Sequence, residues 1–319
     1  VSGCRLPEVG GRDSWPTIHP TSGFARYTER HMPTDEQPHP STPTLRVDDE
    51  GIAWIEFDDP DRSQNVLAEP VMRRLTSVVE QVAEGAGMGA IRAMVVVSGK
   101  DDGFIAGADV SAIEEIEDPT VGERASRLGQ AIFMEIEDLE IPTVAAIHGT
   151  CLGGGVKLAL ACRYRVGSDS DETRIGFPEV QLGILPAWGG TTRLPRLIGV
   201  RSALDMLLTG SRISASSAEK RGFLDDILPV ESFRTEVRKF VKARIEGPIS
   251  TGADRGILSR LLEDTAPGRS VVVRMARKRV LSRTGGHYPA PLKILDVVKE
   301  SLGKPVADAL ALEAAAAGE

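Results

Sequence analysis

The chain has 319 residues, 41% hydrophobic and 26% charged, with a formal net charge of −8. That length admits one large domain with appendages or two modest ones. The acidic balance argues against a nucleic-acid binder, and no apolar run reaches the roughly 18 residues of a membrane span. The three cysteines, at positions 4, 151 and 162, are odd in number and match no zinc spacing. They point to reduced thiols and a cytoplasmic setting.

Residues 1–43 carry prolines at 7, 16, 20, 33, 38, 40 and 43 among Gly, Ser, Thr and His. This stretch has no apolar period and reads as a disordered tail without a secretory h-region. TLRVDDEGIAWIEFDDP, from Thr44, predicts a β-hairpin turning at Asp49-Glu50-Gly51. VMRRLTSVVEQVAEG predicts a helix whose apolar stripe is Val71, Leu75, Val78, Val79 and Val82. IRAMVVVSG is a continuous apolar run, as expected of a buried parallel strand. ERASRLGQAIFMEIEDLE is helical, TVAAI is a strand, and LALACRYRVGS reads as helix then strand. ALDMLLTG is a helix stopped by Gly210. From about residue 230 only helical patterns follow: EVRKFVKARI, ILSRLLED, the basic run Arg274–Arg279, and LKILDVVKESLG. The expectation is therefore an α/β core with parallel sheets over 44–230 and a helical region over 231–319.

Two glycine-bearing loops follow apolar strands. SGKDDGFIAGADVSAI (98–113) follows MVVV, and HGTCLGGGVKLALA (148–161) follows TVAAI. Singly, each is a tight turn. Together they can aim backbone N–H groups into one crevice at the carboxyl ends of the strands. Neither a P-loop nor a dinucleotide fingerprint occurs, and none of the five histidines sits in a triad context. His148 reads as the end of its strand. In RIGFPEVQLGILPAWGGTTRLPRLIG (174–199), Pro178 and Pro186 shape a loop around Glu179. Phe177, Val180, Leu182, Ile184 and Leu185 surround that glutamate in sequence. Such surroundings predict a carboxyl with a raised pKa, able to trade protons near neutrality.

These three stretches together resemble the crotonase (enoyl-CoA hydratase/isomerase) superfamily over roughly residues 44–230. The resemblance implies the crotonase-like (ClpP/crotonase) α/β fold, a spiral of repeated ββα units. It implies that the N–H groups of Ala108 and Gly154 form an oxyanion hole and that Glu179 is the acid/base. It further implies that Ala68, Ala106, Gly107, Asp109, Gly153, Pro178, Trp188 and Gly189 border an acyl-CoA substrate. CoA arrives as part of that substrate; no metal and no redox cofactor is implied. GGHYPAPLKILDVV, CRYRV and GGTTRLPRLIG are similar to the amino-terminal hydratase half of the multifunctional fatty-acid oxidation α-subunits. That points to fatty-acid β-oxidation, with a homotrimer, a hexamer or a larger oxidation complex as the assembly. In that family a dehydrogenase half follows, so the chain reads as a stand-alone hydratase-like domain or a piece of a longer protein. By the same resemblance Lys100, Arg62 and Ser63 border CoA, and Lys293 or Arg277 reach the nucleotide of a neighbouring subunit.

One position departs from the pattern. Hydratases of the family carry two glutamates that jointly hold the attacking water, and the second maps to Lys157. A charged lysine offers three donors and no acceptor. Three outcomes are open. Glu179 acts alone in a 3-enoyl to 2-enoyl isomerase; hydration persists in weakened form; or Lys157 pairs with Glu179 in a non-catalytic acyl-CoA-binding or assembly module. Alternatively the Lys157 stem bends outward and its head is solvated. Glu114, Glu115 and Glu117 read as a solvated helix face.

Overall fold

The computed structural model describes residues 43–109, 116–247 and 265–319. The tail to residue 42, Glu114, Glu115 and the ILSRLLED segment lie outside the described residues. The hairpin forms where expected: β1 (Thr44–Val47) pairs antiparallel with β2 (Ile52–Phe57), Thr44 opposite Glu56. Helix α1 (Glu69–Gly87) carries Pro70 in its first turn and buries Val71, Met72, Leu75, Val78, Val79 and Val82, a single 3.6-period stripe. The chain then enters β3 (Ala93–Ser98), buried at all six positions, and the short β4 (Gly103–Ile105).

The same strand–strand–helix step recurs. Helix α2 (Pro119–Glu137) is capped by Asp118, whose carboxylate accepts from the Thr120 amide at 2.8 Å. It leads to β5 (Thr143–Ile147), β6 (Thr150–Leu152) and α3 (Gly154–Ala161). Next come β7 (Tyr164–Ser168), β8 (Arg174–Gly176) and a 3₁₀ turn at Pro178–Leu182. Helices α4 (Gly190–Ile198) and α5 (Val200–Thr209) follow, then β9 (Arg212–Ser214), α6 (Ala215–Lys220) and β10 (Asp226–Leu228). The remaining described residues form a 3₁₀ turn and α7 (Phe233–Glu246), α8 (Ala266–Thr284), α9 (Pro289–Ser301) and α10 (Val306–Gly318).

The strands sort into two sheets. The larger has the order β1-β2-β3-β5-β7-β10, parallel from β2 onward. The smaller has the order β4-β6-β8-β9, parallel except for β8–β9. Thus β3, β5 and β7 each hand the chain to a strand of the smaller sheet. Alternation along β2 shows how the larger sheet is covered. Ala53, Ile55 and Phe57 join the main core with α1, α2 and α3, while Ile52 and Trp54 pack with Phe233, Val237, Phe240 and Val241 of α7. Among the described residues no helix is long and apolar enough to cross a membrane.

Candidate active site

The first loop is set by backbone pairing. Leu67 donates to the Gly107 carbonyl at 2.8 Å, Ala106 donates to the Asn65 carbonyl at 2.9 Å, and Leu67 and Ala108 form a parallel bridge. Backbone groups alternate sides along an extended chain, so the Gly107 carbonyl faces Leu67 and the Ala108 N–H faces away from it. Gly107 reaches this shape with φ +135°. The side chain of Asn65, only 2% exposed, fastens the region: its Nδ2 lies 3.0, 2.9 and 3.0 Å from Phe57 O, Ser98 Oγ and Phe104 O.

The second loop ends at Gly153 (φ 49°, ψ −111°), whose N–H donates to the Gly176 carbonyl at 3.0 Å. Gly154 opens α3, so its N–H is one of the helix's four unpaired first-turn donors. A Cβ added at Gly154 would lie 3.2 Å from the Ala108 nitrogen and 3.1 Å from Leu67 Cδ1. The Ala108 nitrogen therefore lies close beside Gly154, across a gap that a side chain at 154 would fill.

Glu179 sits in the 3₁₀ turn after β8, and its carboxylate lies over the second loop. A Cβ on Gly153 would come 2.9 Å from its Oε1. Lys157 is three residues after Gly154 on α3, hence on the same helix face. Its Nζ stands 2.7 Å from Glu179 Oε1, with side-chain exposures of 6% and 13%. The contact is an ion pair outside hydrogen-bond geometry; among the described residues neither carboxylate oxygen has a directed donor. The solvated reading of Lys157 is overturned. Its ammonium lies 5.6 Å from the centroid of the Trp188 ring, and Gly190 is so close that an added Cβ would meet Lys157 Cε at 3.4 Å.

Trp188 holds a positive φ of 54°, the one such non-glycine among the described residues. For a bulky residue this costs about 1–3 kcal/mol. Its indole N–H donates to the Ala125 carbonyl at 3.3 Å, and its ring meets Phe133 edge-on at 6.0 Å. Next to it, Gly189 (φ 89°) donates its N–H to the fully buried carboxylate of Glu313 on α10.

Several expected positions are engaged elsewhere. Lys100 binds Asp58 at 3.0 Å and the Asp59 carbonyl, Arg62 reaches Asp109 at 3.5 Å, Arg277 pairs with Asp296, and Lys293 pairs with Glu319. Ala68 is the N-cap of α1 and Pro178 the first residue of the Glu179 turn. His148 does more than end β5: its ring nitrogens contact Ser168 Oγ at 2.8 Å and the Asp101 carbonyl. Burial pushes the Cys151 and Cys162 thiols well up, leaving both poor nucleophiles. Among the described residues no cluster of three or more His, Cys, Asp or Glu could hold a metal ion. Reading the sequence missed Asn65 and Glu313, both buried polar side chains in segments without a recognised motif.

The family model for enoyl-CoA hydratase/isomerase matches residues 48–266. The chain belongs to that family. It is 42% identical over 269 residues to the fatty acid oxidation complex subunit alpha of Shewanella amazonensis, covering 84% of this chain and 37% of the relative. The corresponding Vibrio campbellii protein is 40% identical over 277 residues, covering 86% and 38%. The chain thus spans under two-fifths of the length of these curated relatives. An enoyl-CoA hydratase from Bacillus anthracis superposes with a TM-score of 0.59 at 25% identity, covering 82% of this chain and 91% of that one. The two-sheet arrangement with its strand–strand–helix repeats is accordingly the crotonase fold of this family.

Proposed function

We propose that this chain acts on acyl-CoA thioesters by enolate chemistry, with the N–H groups of Ala108 and Gly154 holding the thioester oxygen and Glu179 carrying the proton. The carrying observation is the Lys157 ammonium, 2.7 Å from Glu179 at the position of the hydratases' second glutamate. An ammonium cannot accept a proton from water. Hydration is therefore disfavoured, and the best-supported reaction is single-carboxylate isomerisation of a 3-enoyl to a 2-enoyl thioester. Glu179 removes a proton from C2. Negative charge collects on the thioester oxygen, where each N–H donor lowers the barrier by about 2.7–4 kcal/mol. The same carboxyl returns the proton at C4. Ala68, Ala106, Gly107, Asp109, Gly153, Pro178, Trp188 and Gly189 line the approach of the substrate in this reading. No metal or redox cofactor takes part, and CoA enters with the substrate. The names of the curated relatives support a place in fatty-acid oxidation and in a larger complex; the cytoplasmic setting and the homotrimer or hexamer rest on the family resemblance alone.

The same ion pair favours one competing reading, a non-catalytic acyl-CoA-binding or assembly module in which Lys157 immobilises Glu179. Isomerisation of a short 3-enoyl-CoA and hydration of a 2-enoyl-CoA, measured for the native chain, Glu179→Gln and Lys157→Glu, separate the readings. The native chain is expected to isomerise and to hydrate poorly. Glu179→Gln loses about 10²–10⁴-fold, the usual worth of an acid/base, and Lys157→Glu gains hydration. Native hydration as fast as that of Lys157→Glu overturns the isomerase reading. Thioester binding without turnover of either substrate establishes the binding module.

A further inference from the structure

We propose that Glu313, on the C-terminal helix α10, is a positioning residue for the Lys157–Glu179 pair. The helix lies outside residues 48–266, the stretch that matches the family. The proposal rests on the reading above that the pair belongs to the thioester site.

Glu313 is 0% exposed in an otherwise alanine-rich helix. A buried carboxylate is tolerated when it is paired with a cation or its oxygens are hydrogen-bonded. Here four donors meet it. Oε1 accepts the Gly189 N–H and, at 3.0 Å, Gln130 Nε2; Oε2 accepts the Thr191 hydroxyl at 2.6 Å and the Thr192 N–H at 3.0 Å. The amides belong to the start of α4, whose dipole favours a negative charge there.

What Glu313 grips is the backbone directly after Trp188. A tryptophan in the left-handed region persists only where its surroundings over-determine it. The Glu313 bond to Gly189 fixes the following amide, while Ala125 and Phe133 fix the indole. The indole in turn lies beside Lys157 Nζ, and Gly190 packs against the lysine stem. An unbroken line of contacts thus runs from Glu313 through Gly189 and Trp188 to Lys157 and Glu179. Released from Glu313, the loop has no charge-backed reason to keep Trp188 in that shape, and Lys157 loses the wall that buries it.

The test compares Glu313→Ala and Glu313→Gln in the full chain with Val241→Ala, a fully buried site on α7 in the other core. Brief acetylation with acetic anhydride, each protein held equally far below its own Tm, reads the accessibility of Lys157 by mass spectrometry. Glu313→Ala is expected to raise Lys157 labelling at least tenfold; Glu313→Gln, which keeps one carbonyl acceptor, is expected to raise it less. Val241→Ala labels as the native chain does. In turnover, Glu313→Gln lowers kcat with KM little changed. Protection of Lys157 undiminished in both Glu313 variants, or equal exposure in Val241→Ala, overturns the proposal; if Glu313→Ala does not fold, Glu313→Gln decides. The labelling uses no thioester, so it stands even if the native chain turns nothing over, a result that would count against the functional reading alone.

Discussion

The three consecutive glycines at 153–155 make different demands, so alanine at each should give a different result. Gly154 has helical backbone, and a Cβ there meets the end of Leu67 at 3.1 Å and two backbone atoms, the Ala108 nitrogen and the Gly107 carbonyl carbon, at 3.2 Å, none of them closer than 3.0 Å. Helix propensity gains about 0.5–1 kcal/mol, which offsets the tight contact. Stability should stay within about 1 kcal/mol, or about 2–4 °C in Tm. The added methyl nevertheless fills the space where a thioester oxygen would sit between the two N–H groups. Loss of one donor is worth about 10²–10³ in rate. Gly153→Ala should lose stability as well, because φ +49° with ψ −111° suits no side chain and the Cβ stands 2.9 Å from Glu179. Gly155→Ala should be the costliest, since its Cβ would lie 2.4 Å from the Ile105 carbonyl, which is backbone and cannot swing aside. Its cost lies at the upper end of the roughly 1–3 kcal/mol of overpacking. Thermal denaturation and thioester turnover, run on all three, check the order. A Gly154→Ala protein with native Tm and native turnover would refute the assignment of Ala108 and Gly154 as oxyanion donors.

Removing one member of the buried pair strands the other. Lys157→Met is expected to cost up to about 3–5 kcal/mol, and Lys157→Met with Glu179→Gln to recover part of it; denaturant midpoints of the two singles and the double measure the coupling. At the far edge of the sheet, burial alone would raise the Asp48 carboxyl. The Trp54 indole N–H at 2.8 Å, the amides of Ile52 and Glu50, and Arg238 outweigh it and hold the group below the ordinary carboxylate range. A lowered folded-state value contributes stability above the unfolded-state value and loses it as pH falls through the folded one. Asp48→Asn should therefore lower Tm at pH 7, and the difference from native should close as the pH falls through the acid range. A gap constant with pH would show that packing, not ionisation, is what Asp48 supplies.

The long elements were legible because their burial is periodic or continuous. MVVV and TVAAI read as buried strands and the Val71-Leu75-Val78-Val82 spacing as one helix face, and the structure has both. The second sheet was not legible. Its strands GFI, TCL, RIG and RIS have three residues each, too few to show an alternation of period two. The loops and Glu179 stood out by glycine and proline punctuation, and Lys157 by occupying the place of a glutamate. Its burial did not, because that depends on Trp188 adopting a backbone shape that no local rule predicts. Glu313 was hidden for the opposite reason: a glutamate in an alanine-rich helix ordinarily faces water, and only tertiary contact reveals the four donors waiting for it.

The two candidate oxyanion donors follow adjacent strands: Ala108 comes after β4 and Gly154 after β6, which pair in parallel with Gly103 opposite Thr150 and Ile105 opposite Cys151. Neighbouring strands are held about 4.8 Å apart by their own hydrogen bonds. An oxygen about 3 Å from each donor fits that span. The ladder, with its irregularity between Gly103 and Ile105, sets the spacing of the two segments that carry these N–H groups, and the Asn65 side chain fastens the first of them. The acid–base chemistry, by contrast, hangs on side chains that one codon can exchange. On the proposed assignment, a fold built this way can trade a glutamate for a lysine while the backbone meant to hold a thioester oxygen stays fixed, which separates what the scaffold can recognise from what it can do.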